Sequence, residues 1–117
     1  MKKDRILIEK SLIPYSFDIM LGDELFTLSI THNEKHDLLI VALEKDGEVI
    51  CEGEPIIYGV PLFKDLYQPD KYPSLDIVAM DESGEQKVVT FENFNELVFL
   101  TIENYDEEGE AQGINGE

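Results

Sequence analysis

The stretch YSFDIMLGDELFTLSITH, residues 15 to 32, alternates apolar and polar side chains on both sides of a glycine–aspartate pair. In an extended chain Phe17, Ile19 and Leu21 fall on one side and Ser16, Asp18 and Met20 on the other. After the turn GDE, Phe26, Leu28 and Ile30 repeat the pattern against Thr27, Ser29 and Thr31. A period of two is the signature of a half-buried strand, whereas a helix repeats every 3.6 residues. Gly22 accepts a positive φ without steric cost, so the two runs close into a β-hairpin from Tyr15 to His32.

The remaining runs follow the same logic. LLIVALE, residues 38 to 44, is apolar on both faces. It is expected to be a central strand covered on both sides or a strand whose outer face meets a partner. Asp46-Gly47 is the dipeptide that primed hairpin turns prefer, and VICEG returns from it as the next strand. LDIVAM, QKVVTF and ELVFLTIE complete the strand-like runs, with DESGE and ENFN between them. The fold class expected is all-β, a small barrel or sandwich of about seven short antiparallel strands.

One stretch departs from this pattern. In EPIIYGVPLFKDLY, Gly59 and Pro61 interrupt an apolar, β-branched run, and PLFKDLY reads as a short helical turn in a central crossover. Proline suits the first helical position, where its missing N–H has no intrahelical partner to lose. Phe63 and Leu66 are then placed to cover one end of the β domain. The organisation expected is an N-terminal extension at 1–11, a single β domain at 12–103 and a flexible acidic tail at 104–117. The tail holds Asp106, Glu107, Glu108, Glu110 and Glu117 with no lysine or arginine, a composition that cannot offset its ordering entropy.

Charge narrows the classes of function. The chain carries 9 basic and 26 acidic side chains, a formal net of −17, which opposes binding to nucleic acid and to anionic membrane surfaces. A basic protein partner suits it. The first residues, MKKDRILIEK, lack the continuous apolar core of a signal peptide, and no apolar run is long enough to span a bilayer.

Residue by residue, the chemistry points away from catalysis. Cys51 is the single cysteine, which excludes an internal disulfide. Its neighbours Glu48, Glu52 and Glu54 oppose a thiolate, so a small buried hydrophobe is expected. His32 and His36 have a spacing that ligates metal on a helix but flank a turn here. Asp81, Glu82 and Glu85 lack the alternating acids of a calcium loop, and Ser83 sits in no nucleophile motif. No catalytic residue, cofactor or metal ligand is assigned, and the chain is read as not an enzyme. The candidate site is instead an interface for another protein, built from Leu39, Val41, Tyr58, Phe63, Tyr67 and Tyr72, because tyrosine and phenylalanine are favoured at the buried centres of protein contacts.

Taken in order, LIPYSFDIML, LGDELFTLSI, the crossover DGEVICEGEPIIYGVPLF and the closing NELVFLTI resemble the phage baseplate plug family, from about Leu12 to Glu103. The resemblance implies a structural component of a phage or prophage tail baseplate. It would be made in the host bacterial cytoplasm and assembled into the virion near the axis, where it binds hub or tube proteins. It also implies that the central crossover is a family feature. The alternative is an acidic phage-encoded inhibitor that binds a basic protein surface by mimicking nucleic acid. Mimicry needs carboxylates ordered along one face, and these lie largely in turns.

Overall fold

The computed structural model describes residues 4–63, 72–73 and 75–103. Within them the chain forms β1 (Asp4–Arg5), a 3-10 turn (Lys10–Leu12), β2 (Tyr15–Leu21), β3 (Glu24–Asn33), β4 (Leu38–Lys45), β5 (Glu48–Pro55), β6 (Asp76–Met80) and β7 (Phe99–Glu103). The strands make two antiparallel sheets, one of order β2-β3-β4-β5 and the other β1-β7-β6. Of barrel and sandwich, the arrangement is sandwich-like, since each sheet keeps its own edges.

The larger sheet is a meander whose register follows the alternation in the sequence. In β2 and β3, Tyr15 pairs with Ile30 and every residue onward to Leu21 with Glu24 has a partner. Leu21, Phe26, Leu28 and Ile30 turn inward and are buried, as do Leu39, Val41 and Leu43 of β4. The β4–β5 turn has Asp46 at φ 54° and Gly47 at φ 80°, both left-handed, which is the primed geometry that matches strand twist. On the outer face Ile40 sits where a Cβ on Gly53 would approach its Cγ2 to 3.1 Å, so the glycine admits the side chain.

The smaller sheet supplies the opposing layer. Ile77, Ala79 and Leu100 face the same core, joined by Phe94 and Val98 from the segment before β7. Thr101 is fully buried, and its hydroxyl donates to the Val78 carbonyl at 2.9 Å, which removes the cost of an unpaired polar group. Cys51 is buried in this core, as expected.

Three features differ from the sequence reading. QKVVTF is not a strand: residues 86–91 are irregular, Val88 is exposed, and the segment is tied by side chains instead of a ladder. Asn93 holds it, its amide donating to Gln86 Oε1 and the Val88 carbonyl at 3.0 Å each and its Oδ1 accepting from Thr90 N at 2.9 Å. Residues 4–8, placed in an extension outside the domain, belong to its body. Asp4 and Arg5 pair with Ile102 and Thr101, and Ile6 and Ile8 are core residues. The 3-10 turn lies at Lys10–Leu12, while 64–67 of the helical turn expected in PLFKDLY, residues 61–67, lie outside the described residues, as does the acidic tail at 104–117.

The role of the segment that follows β1 is testable with neighbouring residues of opposite exposure. Ile6→Ala should cost about 2–5 kcal/mol in urea unfolding, the usual range for truncating a buried isoleucine. Leu7→Ala, at a side chain 86% exposed, should stay within about 0.5 kcal/mol of wild type.

Candidate functional site

The crossover after β5 runs along the outer edge of the small sheet. Ile56 N donates to the Leu39 carbonyl at 2.8 Å, carrying the chain off the large sheet. Tyr58 bridges Ala79, Gly59 N donates to the Ala79 carbonyl at 2.9 Å, and Leu62 N donates to the Ile77 carbonyl at 2.8 Å. The edge of β6 is thereby capped by the crossover itself. Phe63 holds a left-handed backbone, φ 62°, which a bulky side chain adopts only when its surroundings fix it. Two contacts do so: its N–H donates to Glu54 Oε2 at 2.7 Å, and its ring packs on Tyr72 at 5.6 Å between centroids.

These contacts place the expected interface residues. Leu39, Val41, Phe63 and Tyr72 are buried, none more than 6% exposed, so their surface is used inside the domain. The Tyr72 hydroxyl reaches the Ile50 carbonyl at 3.4 Å; burial pushes its phenol pKa up, and nearby Cys51 and Glu54 add to the rise. Tyr58 is half-buried, and its hydroxyl accepts from Asp81 N at 3.1 Å. Tyr67 lies outside the described residues. LLIVALE has two apolar faces, and Leu39 and Val41 lie on the inner one. Its inward face is covered by the opposing sheet, and its other face, Leu38, Ile40 and Ala42, is half-buried.

The acidic and histidine clusters are local fasteners. Asp81 is buried and ties its own turn: Oδ1 accepts from Ser83 N at 2.9 Å and from Ser83 Oγ at 2.8 Å, while Oδ2 accepts from Gln86 N at 2.8 Å. Glu82 reaches Arg5 at 3.3 Å, and the Arg5 guanidinium lies 3.9 Å from the Phe99 ring centre. His32 lies within β3 and reaches Asp37 Oδ1 at 2.8 Å, an oxygen that also accepts from Phe91 N at 3.0 Å. The His32 ring stacks on Phe91 at 4.6 Å. Among the described residues, no group of three or more histidine, cysteine or acidic side chains stands together to hold a metal ion, and no helix is long and apolar enough to cross a membrane.

Among the described residues, one sheet edge is left open. β1 has two residues, β6 is capped by the crossover, and β5 carries register shifts, Gly53 and Pro55 along with Glu48, Glu52 and Glu54. β2 is different. It is seven residues long, unbroken in register, and its side away from β3 pairs with no strand among the described residues. Beside it Met20 and Leu25 are cross-strand partners and both more than half exposed. Sequence alternation had already placed Met20 outward; which strand lies at an edge is settled only by the sheet order.

A family model described as "Cyanophage baseplate Pam3 plug gp18" matches residues 4–106, from β1 through β7. The two-sheet domain is thus matched along its whole length as a structural component of phage baseplates. The chain belongs to this baseplate plug family, whose place is in the phage tail. A comparison with curated proteins finds no match.

The Asp81 and Asp37 contacts predict an acid-sensitive fold. Asp81 is held below its ordinary value of 3.8, first by the Gln86 N–H and then by the Ser83 hydroxyl. Asp37 is lowered first by its bond to His32 and then by the Phe91 N–H. A carboxyl whose pKa is lower in the folded state stabilises the fold fully above the unfolded value, and that contribution drains away as pH falls toward the folded one. Asp81→Asn should therefore melt below wild type at neutral pH, with the gap closing as pH falls below the ordinary carboxyl value of 3.8. Thermal melts of both proteins across that range check it, and a gap independent of pH would show that the carboxylate's charge is not what ties the turn.

Proposed function

We propose that this protein is a non-catalytic structural piece of a contractile phage tail baseplate, seated near the tail axis and holding neighbouring hub or tube proteins by protein–protein contact. The observation that carries this reading is the extent of the family match. It spans residues 4–106, so it takes in the first strand, both sheets, the crossover and the last strand. A match confined to one hairpin would speak only for a common β motif.

Two properties of the molecule support a role in assembly. The core is closed by residues from both sheets, which gives a rigid body able to present a fixed surface. The formal charge of −17 favours encounter with basic neighbours and opposes acidic ones, an effect on specificity and rate more than on affinity. Within the crossover, Tyr58 and Tyr67 are the residues we assign to contact with a neighbour, since the other aromatics expected there, Phe63 and Tyr72, are buried.

The reading is tested in purified tails. The protein should co-sediment with tail particles, and deleting its gene should leave particles with an incomplete baseplate. Tyr67→Ala should weaken retention in tails roughly tenfold, the scale of losing one large apolar contact, with an unchanged melting temperature. A lowered melting temperature would place Tyr67 in the core instead. Absence of the wild-type protein from intact tails would end the baseplate reading.

A further inference from the structure

Among the described residues the side of β2 away from β3 is bare, which is unusual for an edge strand of this length. Sheet edges expose unpaired N–H and C=O groups, and proteins shield them with prolines, bulges, lysines, very short strands or a covering segment. Here β1 is short, β6 is covered, and β5 is shifted in register and ends at Pro55. β2, with the sequence YSFDIML, has no proline, no lysine and no shift in register. Its charged residue, Asp18, is turned back over the sheet, where its carboxylate accepts from Thr27 Oγ1 at 2.7 Å. On the inner face Tyr15, Phe17 and Ile19 are only partly buried although they pack against the core. An added strand would cover them.

We infer that the free edge of β2, Tyr15–Leu21, is a strand-addition site for an extended segment of a neighbouring baseplate protein, one that sets a lysine or arginine opposite Asp18 and apolar side chains opposite Phe17, Ile19 and Met20. This rests on the baseplate reading and names the surface and the chemistry of its partner. Main-chain hydrogen bonds supply the affinity in such pairing, and alternate side chains supply the choice of partner. The alternation fits: Phe17 and Ile19 ask for apolar neighbours on the inner face, Asp18 asks for a base on the outer face, and the exposed Met20–Leu25 pair extends the apolar contact toward the turn.

Charge selects the occupant. A second copy pairing antiparallel about Asp18 would set that carboxylate against itself, and each molecule carries a formal −17. Asp23 at the hairpin turn is exposed near the same end of the strand. A basic segment meets none of this repulsion.

Hydrogen–deuterium exchange on the full chain, alone and in purified tail particles, reads the edge directly. Alone, β2 amides should alternate between slow, facing β3, and fast, facing outward. In tails the fast set should slow on the order of 100-fold. Asp18→Lys should melt like wild type yet enter tails about tenfold less, because it sets like charges against each other. Asp18→Asn, which keeps an acceptor for Thr27, should lose less. Fast outward amides in tails overturn the pairing, a result that does not depend on any variant folding. Slowed amides with normal incorporation of Asp18→Lys overturn the basic occupant. A wild-type chain missing from tails overturns the baseplate reading and this site with it, so the two failures are told apart.

Discussion

Everything in this fold depends on covering one apolar face. The four-stranded meander turns Leu28, Ile30, Val41 and Leu43 to one side, all without solvent exposure. Exposed, each of these side chains would forfeit roughly 1.5–3 kcal/mol. The cover is assembled from distant parts of the chain. β7 lies at its centre, with β1 from the opposite end of the domain on one side and β6 on the other. The crossover, the Asn93 knot and the Asp81 turn can be understood as means of bringing β6 and β7 to that position. Asn95 ties the last of these segments to the first, its amide donating to the Ile8 carbonyl at 2.8 Å.

Much of the larger sheet was legible because its signals are local. The alternation of Tyr15 to His32 and the Asp46-Gly47 turn each specify a register within a few residues. The smaller sheet was harder, for a physical reason: its pairings are long-range. The N-terminal segment shows only as Ile6 and Ile8 around an exposed Leu7 just after β1, a period of two too short to stand out between charged neighbours. QKVVTF has strand-like composition, but hydrogen bonds from Asn93 and Thr90 compete with a ladder and win. The burial of four of the six expected interface residues turns on the same point. Apolar content marked Leu39, Val41, Phe63 and Tyr72, but whether an apolar face meets solvent or another sheet depends on partners remote in sequence.

The acidic side chains divide by task. Asp81, Asp37 and Glu54 accept hydrogen bonds from backbone N–H groups of turns and the crossover, so part of the charge excess serves the fold. Others, such as Asp18, Asp23 and Glu48, face solvent. They contribute to the long-range field that screens encounters. A baseplate component must reject many wrong neighbours in a crowded assembly. A smooth edge with strong hydrogen-bonding potential, inside an acidic field, is suited to that discrimination.

The side-by-side placement of β1 and β7 has a mechanical meaning. Asp4 lies opposite Ile102 in an antiparallel pair, so tension applied between Asp4 and Glu103 would load the hydrogen bonds one after another and open the pair like a zip. Strands sheared along their length resist as a group; strands peeled from one end do not. The domain is therefore a poor tether between those two points. Load pressed across the sheet faces would avoid that weakness, whereas load carried through the short strand that closes the core would meet it.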